Sequence, residues 1–142
     1  MKAEAAAGHS IGNHTYNHLQ LMRIPDEYVP LEVEVCGSII TRLTGRTPHL
    51  FRPPGGGYDA QIIECAESLG YTTVLWTINS GDYARPSEQI IWNTVVPHLR
   101  NGSIVLFHDG VPETIHLLPR LLSYLKSKGY ELVTVDEMIR QK

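Results

Sequence analysis

Cysteine is scarce in this chain, with two residues, Cys36 and Cys65, among 142. They have no CxxC spacing and fall in helix-like segments, so they indicate neither a zinc ribbon nor a disulfide framework and read as small core residues. Long apolar runs are missing too. Nothing approaches the roughly 18 apolar residues of a membrane span, and residues 1–7 lack the apolar core of a signal peptide. Basic blocks are also absent: 12 Lys and Arg stand against 15 Asp and Glu, for a formal charge of -3. A phosphate backbone would find no basic stripe here, so nucleic acid is not an expected partner. There is no internal repeat, low-complexity run or linker. What remains is an ordinary globular composition, 42% hydrophobic and 19% charged, long enough for one domain with a real core.

Local signals divide the chain into alternating elements. Residues 2–7 favour helix and end at Gly8. Pro25, Asp26 and Glu27 suit a helix start, with Pro30 in or near the first turn, an apolar face at Leu31, Val35, Ile39 and Leu43 or nearby positions, and a stop at Gly45. Leu50-Phe51 is a brief strand candidate. Asp59 can cap a helix carrying Ile62, Ile63, Ala66 and Leu69 up to Gly70. Residues 71–78 read as a buried strand. Ser87 opens a helix with Ile90, Ile91, Thr94 and Val95 inward, and residues 103–107 form a second strong strand. A helix from about Glu113 to Lys128 is expected to bury Ile115, Leu118, Leu121, Leu122 and Leu125. A last strand over 130–135 precedes a short terminal helix. The alternation argues for βα units in a parallel sheet or barrel.

The organising stretch is residues 8–18, and within it His14 and His18. Two imidazoles four residues apart on one helical turn can share an ion, although a pair of solvated histidines satisfies the same spacing. The zinc helix of metalloproteases has a glutamate base after its first histidine, and here that position is Thr15. Arg52, Asp82 and His108 each follow a strand candidate as well. In α/β sheets and barrels the C-terminal strand ends form the active face. Taken singly, Arg52 could be a turn arginine, Asp82 a turn aspartate or cap, and His108 a core-edge histidine. Trp76 and Trp92 read as core, and His9, His49, His98 and His116 as structural or exposed.

At these residues the chain resembles the polysaccharide deacetylases of the NodB-homology type, carbohydrate esterase family 4, over about Gly8 to Val135. His14-Thr15-Tyr16-Asn17-His18 is similar to the family's second motif, Arg52-Pro53-Pro54-Gly55 to the third, Asn79-Ser80-Gly81-Asp82-Tyr83 to the fourth and Leu106-Phe107-His108 to the fifth. The resemblance implies a distorted (β/α) barrel-like α/β fold and a divalent metal on His14 and His18, zinc in the first place, with cobalt or nickel as alternatives. It makes His108 the general acid, Asp82 the residue that orients it, and Arg52 the residue that positions a catalytic base. Gly55 would offer its backbone N–H to the oxyanion, Leu106 would line the acetyl pocket, and Tyr16 is grouped with them as substrate-binding. The implied partner is an acetylated amino-sugar polymer or oligomer, peptidoglycan or chitin-like, in an extracellular or cell-envelope setting.

Three departures accompany the resemblance. Gly55 stands where an aromatic residue is usual, and Tyr83 where a tryptophan is usual. The first motif, a Thr-Phe-Asp-Asp-Gly strand end that supplies the base and a third metal ligand, has no counterpart, since no Asp-Asp pair occurs in the chain. The sequence thus reads as a single deacetylase-like domain, residues 1–142, missing its first strand or two. Asp109, Asp59 or a second chain would have to supply the carboxylate. Three functions follow: a metal-dependent de-N-acetylase impaired in this form, a non-catalytic carbohydrate-binding or assembly protein, or a homodimer formed through exposed strand edges.

Overall fold

In the computed structural model, which describes residues 1–140, the chain forms two compact units, Met1–Leu75 and the part from Trp76 onward. Each has its own core and its own two-stranded parallel sheet. No helix among the described residues is long and apolar enough to cross a membrane.

The first unit opens with α1 (Lys2–Ala6), which ends before Gly8. A 3₁₀ turn at Asp26–Tyr28 leads into α2 (Val29–Thr44), where Pro30 occupies the first turn, a place with no intrahelical bond to lose. Gly45 closes α2 with φ 71°, the left-handed stop that glycine adopts without strain. The buried face of α2 is Val29, Val33 and Ile40, with Glu32 and Gly37. Of the expected stripe, Val35 and Ile39 are partly buried, whereas Leu31 is 56% exposed and Leu43 is also exposed. Both stripes satisfy helical periodicity, and the choice is made by Gly37. A Cβ on Gly37 would collide with the hydroxyl of Tyr71, so only glycine lets the two approach.

Strand β1 (Leu50–Phe51) pairs with β2 (Thr72–Thr73) in the register Leu50↔Thr72 and Phe51↔Thr73. Between them lies α3 (Ala60–Ser68), whose start is fixed by the Asp59 carboxylate accepting from the amide of Ile62 at 2.9 Å. Leu21, Val29, Val33, Phe51, Ile62, Ala66 and Tyr71 form the core.

The expected single strand over 71–78 is divided. The amide of Val74 still donates to Phe51 O, whereas that of Thr77 donates to Ile104 O, so the run changes partners midway. Its second part becomes β3 (Ile78–Asn79), paired with β4 (Val105–Leu106) in the register Ile78↔Val105 and Asn79↔Leu106. Helix α4 (Glu88–Val95) begins after Ser87, which holds the N-cap position without a side-chain cap bond. Helix α5 spans Pro112–Ser127.

The core here is Ile78, Ile91, Val95, Leu117, Leu121 and Leu125. Ile90, Ile115 and Leu122, expected inward, are exposed, and the fully buried Leu117 takes their place. In place of the expected last strand, residues 130–134 pair with no strand, and α6 (Val135–Arg140) follows. The start of α6 is set by a reciprocal cap. The Thr134 amide donates to Glu137 Oε2 at 2.7 Å, and the Glu137 amide donates to Thr134 Oγ1 at 3.2 Å.

Candidate functional site

His14 and His18 lie in an irregular loop, not on the helical turn that their spacing suggested. Two non-glycine residues there, Thr15 and His18, have left-handed φ of 66° and 57°. For a β-branched threonine this is strained, at a cost of roughly 1–3 kcal/mol. The surroundings hold it in place. Buried Asn13 bridges β1 by donating its amide to Leu50 O and accepting from the Arg52 amide. Its side chain accepts from the Thr15 amide at 3.0 Å and donates to Val33 O at 2.7 Å and to the Tyr71 hydroxyl at 3.0 Å. The two exposed imidazoles stand edge to face, with centroids 4.9 Å apart.

His14 Nδ1 donates to the carbonyl of Arg52 at 2.6 Å. A carbonyl can only accept, so Nδ1 carries a proton, and in the neutral ring Nε2 keeps its lone pair. This is the arrangement of a histidine prepared for a metal, with its second nitrogen anchored to a carbonyl. The donor chemistry therefore fits two ligands of a divalent site. A third protein ligand is not grouped with them: no three His, Cys, Asp or Glu among the described residues are placed to hold a metal ion.

Arg52 follows β1 directly and spans two carbonyls, Nε to Val74 O and Nη2 to Leu75 O, both at 3.1 Å. Burial draws its pKa down, but a guanidinium stays charged at any physiological pH. After Arg52, Gly55 takes φ 67° and Gly56 φ 72°, which turns the backbone sharply past the two prolines. Tyr16 is exposed.

In the second unit, Asp82 and His108 come together from the ends of β3 and β4. Asp82 is fully buried, and Oδ1 lies 2.7 Å from His108 Nδ1. Its Oδ2 accepts from the His108 amide at 2.8 Å and from the Thr114 hydroxyl at 2.7 Å. Burial opposes the charged form, yet the bonds from His108, Thr114 and Ser80 outweigh it and hold the Asp82 pKa below its ordinary value. An ionised Asp82 keeps the proton on Nδ1 and turns Nε2 of the half-exposed His108 outward. Tyr83 stands edge-on to the His108 ring at 5.8 Å. Leu106, on β4, is partly buried.

Sequence reasoning did not find Asn13, Glu32, Asn17 or Thr114. The N-H-x-x-N-H pattern around the histidines contained a signal for the two asparagines. Nothing local marked Glu32, which reaches Asn17 across 15 residues, or Thr114, which reaches Asp82 across 32.

A short parallel sheet in each unit, flanked by helices, defines an α/β protein with histidine, arginine and aspartate at its strand ends. The chain belongs to the polysaccharide deacetylase family, whose family model matches residues 1–74. It is 39% identical to a peptidoglycan-N-acetylglucosamine deacetylase of Bacillus cereus over 140 residues, 95% of this chain and 65% of that protein. Among solved structures it is similar to the Bc1960 peptidoglycan N-acetylglucosamine deacetylase, with TM-score 0.92 and 29% identity over 96% of this chain and 66% of that one. It also shares the fold of BA3943 of Bacillus anthracis, a family 4 carbohydrate esterase pseudoenzyme, with TM-score 0.90 and 24% identity over 96% of this chain and 48% of that one. The chain spans less than two thirds of the length of each of these proteins. The fold is thus the NodB-type fold of the family 4 esterases.

Proposed function

We propose that this chain carries the metal-binding histidines and the general-acid dyad of a metal-dependent de-N-acetylase for amino-sugar polymers, peptidoglycan or chitin-like. We also propose that by itself it turns over little. The observation that carries the reading is the buried Asp82 carboxylate 2.7 Å from His108 Nδ1. Hydrolysis of an acetamide adds water across the C–N bond and yields acetate and an amine, and the departing nitrogen needs a proton. As the imidazolium, with its Nδ1–H held by the Asp82 carboxylate, His108 is suited to deliver it from Nε2. His14 and His18 would hold a divalent ion, zinc or alternatively cobalt or nickel, which supplies Lewis acidity and an acidified water. The N–H of Gly55 would serve the developing oxyanion. Leu106 would line the acetyl pocket, Tyr16 would meet a sugar ring, and Arg52 would orient the base. A cell-wall polymer as substrate would place the protein at the cell envelope.

The impairment follows from what the family motif would add. The chain has no Asp-Asp pair, and loss of a general base alone removes about 10²–10⁴ in rate. Catalytic zinc usually has three protein ligands, and His14 and His18 provide two. The missing Asp-Asp pair also favours a second reading, a non-catalytic carbohydrate-binding or assembly protein.

Acetate release from an N-acetylglucosamine oligomer, with zinc or cobalt and alongside His14→Ala, tests both readings. The expected result is release near the blank for either protein. Release at the level of a complete relative, abolished by His14→Ala, would overturn the impairment and establish a working enzyme. Oligomer binding without release would favour the carbohydrate-binding reading.

A further inference from the structure

We infer that Glu32 is the positioning residue of the histidine pair, acting through Asn17 to set the loop geometry in which His14 and His18 face one another. Its importance to the metal rests on the metal-binding reading above; its effect on the ring geometry does not.

Glu32 is a carboxylate at 7% exposure. Burying such a group is costly unless its oxygens are hydrogen-bonded. Both oxygens are used, and both on one residue: Oε2 accepts from the Asn17 amide at 2.8 Å and Oε1 from Asn17 Nδ2 at 2.6 Å. The carbonyl of Glu32 accepts from the amide of Tyr16 at 3.0 Å. One residue in the first turn of α2, where the helix dipole favours negative charge, therefore grips two consecutive residues of the loop. From the same helix, Val33 O accepts from Asn13 Nδ2, and Asn13 Oδ1 accepts from the Thr15 amide.

Positions 13, 15, 16 and 17 are thus tied to the framework by their backbone or side-chain amides, while His14 and His18 project outward. The left-handed φ of Thr15 and His18 on either side of the grip has no local sequence cause such as glycine, so the fixed partners must impose it. The side chain of Glu32 is the part of this grip that a substitution can remove without touching either histidine.

A glutamine at 32 offers one acceptor and one donor to two donors on Asn17, so one of the two bonds is lost. Pairing Glu32→Gln with Asn17→Asp restores it in reverse, because the new amide donates to the new carboxylate and still accepts from the backbone N–H of position 17.

The test uses the full chain free of metal. The imidazole resonances of His14 and His18 are recorded by nitrogen-edited NMR, with His98 and His116 as reference rings and circular dichroism as the check on folding. Glu32→Gln is expected to move the His14 and His18 signals and leave the reference rings in place. The double variant is expected to return them toward wild type, and Asn17→Ala to act like the single variant. Cobalt titration should show affinity about 10- to 100-fold weaker in Glu32→Gln, the usual effect of losing an outer-shell partner.

Unchanged His14 and His18 signals in folded Glu32→Gln and Asn17→Ala, or a double variant no closer to wild type than the single ones, would overturn the inference. Wild-type protein that binds no cobalt would instead overturn the metal-binding reading and leave the ring signals to decide the role of Glu32.

Discussion

Asp82 holds His108 twice, by the ring at Nδ1 and by the backbone amide, at 2.7 and 2.8 Å. One buried carboxylate therefore fixes both the tautomer of the imidazole and the point at which the chain leaves β4. The Thr114 hydroxyl, from α5, completes the set.

Replacing Asp82 with asparagine puts a donor where only an acceptor can serve. The expected loss in urea unfolding is about 1–3 kcal/mol, the cost of an unsatisfied buried polar group.

The same carboxylate makes stability depend on acid. The folded pKa of Asp82 lies below the ordinary aspartate value of about 3.9, so its contribution is complete above that value and is lost as pH falls through the folded pKa. Exposed Glu4 and Glu137 have lowered pKa values too, through the amino terminus and Thr134 respectively. Asp82→Asn should therefore flatten the acid limb of a stability-against-pH curve without abolishing it. An acid limb identical to that of wild type would count against the Asp82 linkage.

Gly37→Ala should destabilise the protein by about 1–3 kcal/mol, as overpacking does, because the added methyl meets the Tyr71 hydroxyl. Combining it with Tyr71→Phe removes the colliding atom and leaves an ordinary 3.5 Å contact to the ring carbon. The gain of up to about 1 kcal/mol in helix propensity from Gly37→Ala is common to both variants and cancels between them. Because Tyr71→Phe also removes the acceptor of Asn13 Nδ2, the check is a cycle: denaturation midpoints should show a smaller loss from Gly37→Ala in the Tyr71→Phe background than in wild type.

Arg52→Lys should cost about 1–2 kcal/mol despite keeping the charge. A single ammonium cannot reproduce the fork that spans Val74 O and Leu75 O, and at least one of these bonds would be lost. Equal stability of the two proteins in urea would contradict this account of Arg52.

His14→Ala should weaken cobalt binding by more than about 100-fold, beyond the usual effect of losing an outer-shell partner. Calorimetry or the visible cobalt spectrum would read it. Affinity equal to wild type would remove His14 from the ligand set.

The signals that the sequence carried were local ones. Asp59 announced α3 because its carboxylate needs only an amide three residues on, and Gly45 and Gly70 marked helix ends because the left-handed turn they make is their own property. The reciprocal cap of Thr134 and Glu137 is equally local and was legible in the sequence; the β-branched residues before it suggested a strand instead. The order of histidine, arginine, aspartate and histidine was legible because residue type and order are the sequence itself.

Tertiary structure decided what depends on partners far along the chain. Leu31 and Val33 are equally apolar, and which of them faces inward was set by Tyr71 arriving over Gly37. Residues 71–78 carry strand character throughout, but their hydrogen bonds divide between Phe51 and Ile104. Glu32, which composition would leave in solvent, is buried because Asn17 supplies both of its donors from across 15 residues of chain. Periodicity and propensity act within a turn or a strand, whereas burial and hydrogen-bond satisfaction are settled only when distant segments meet.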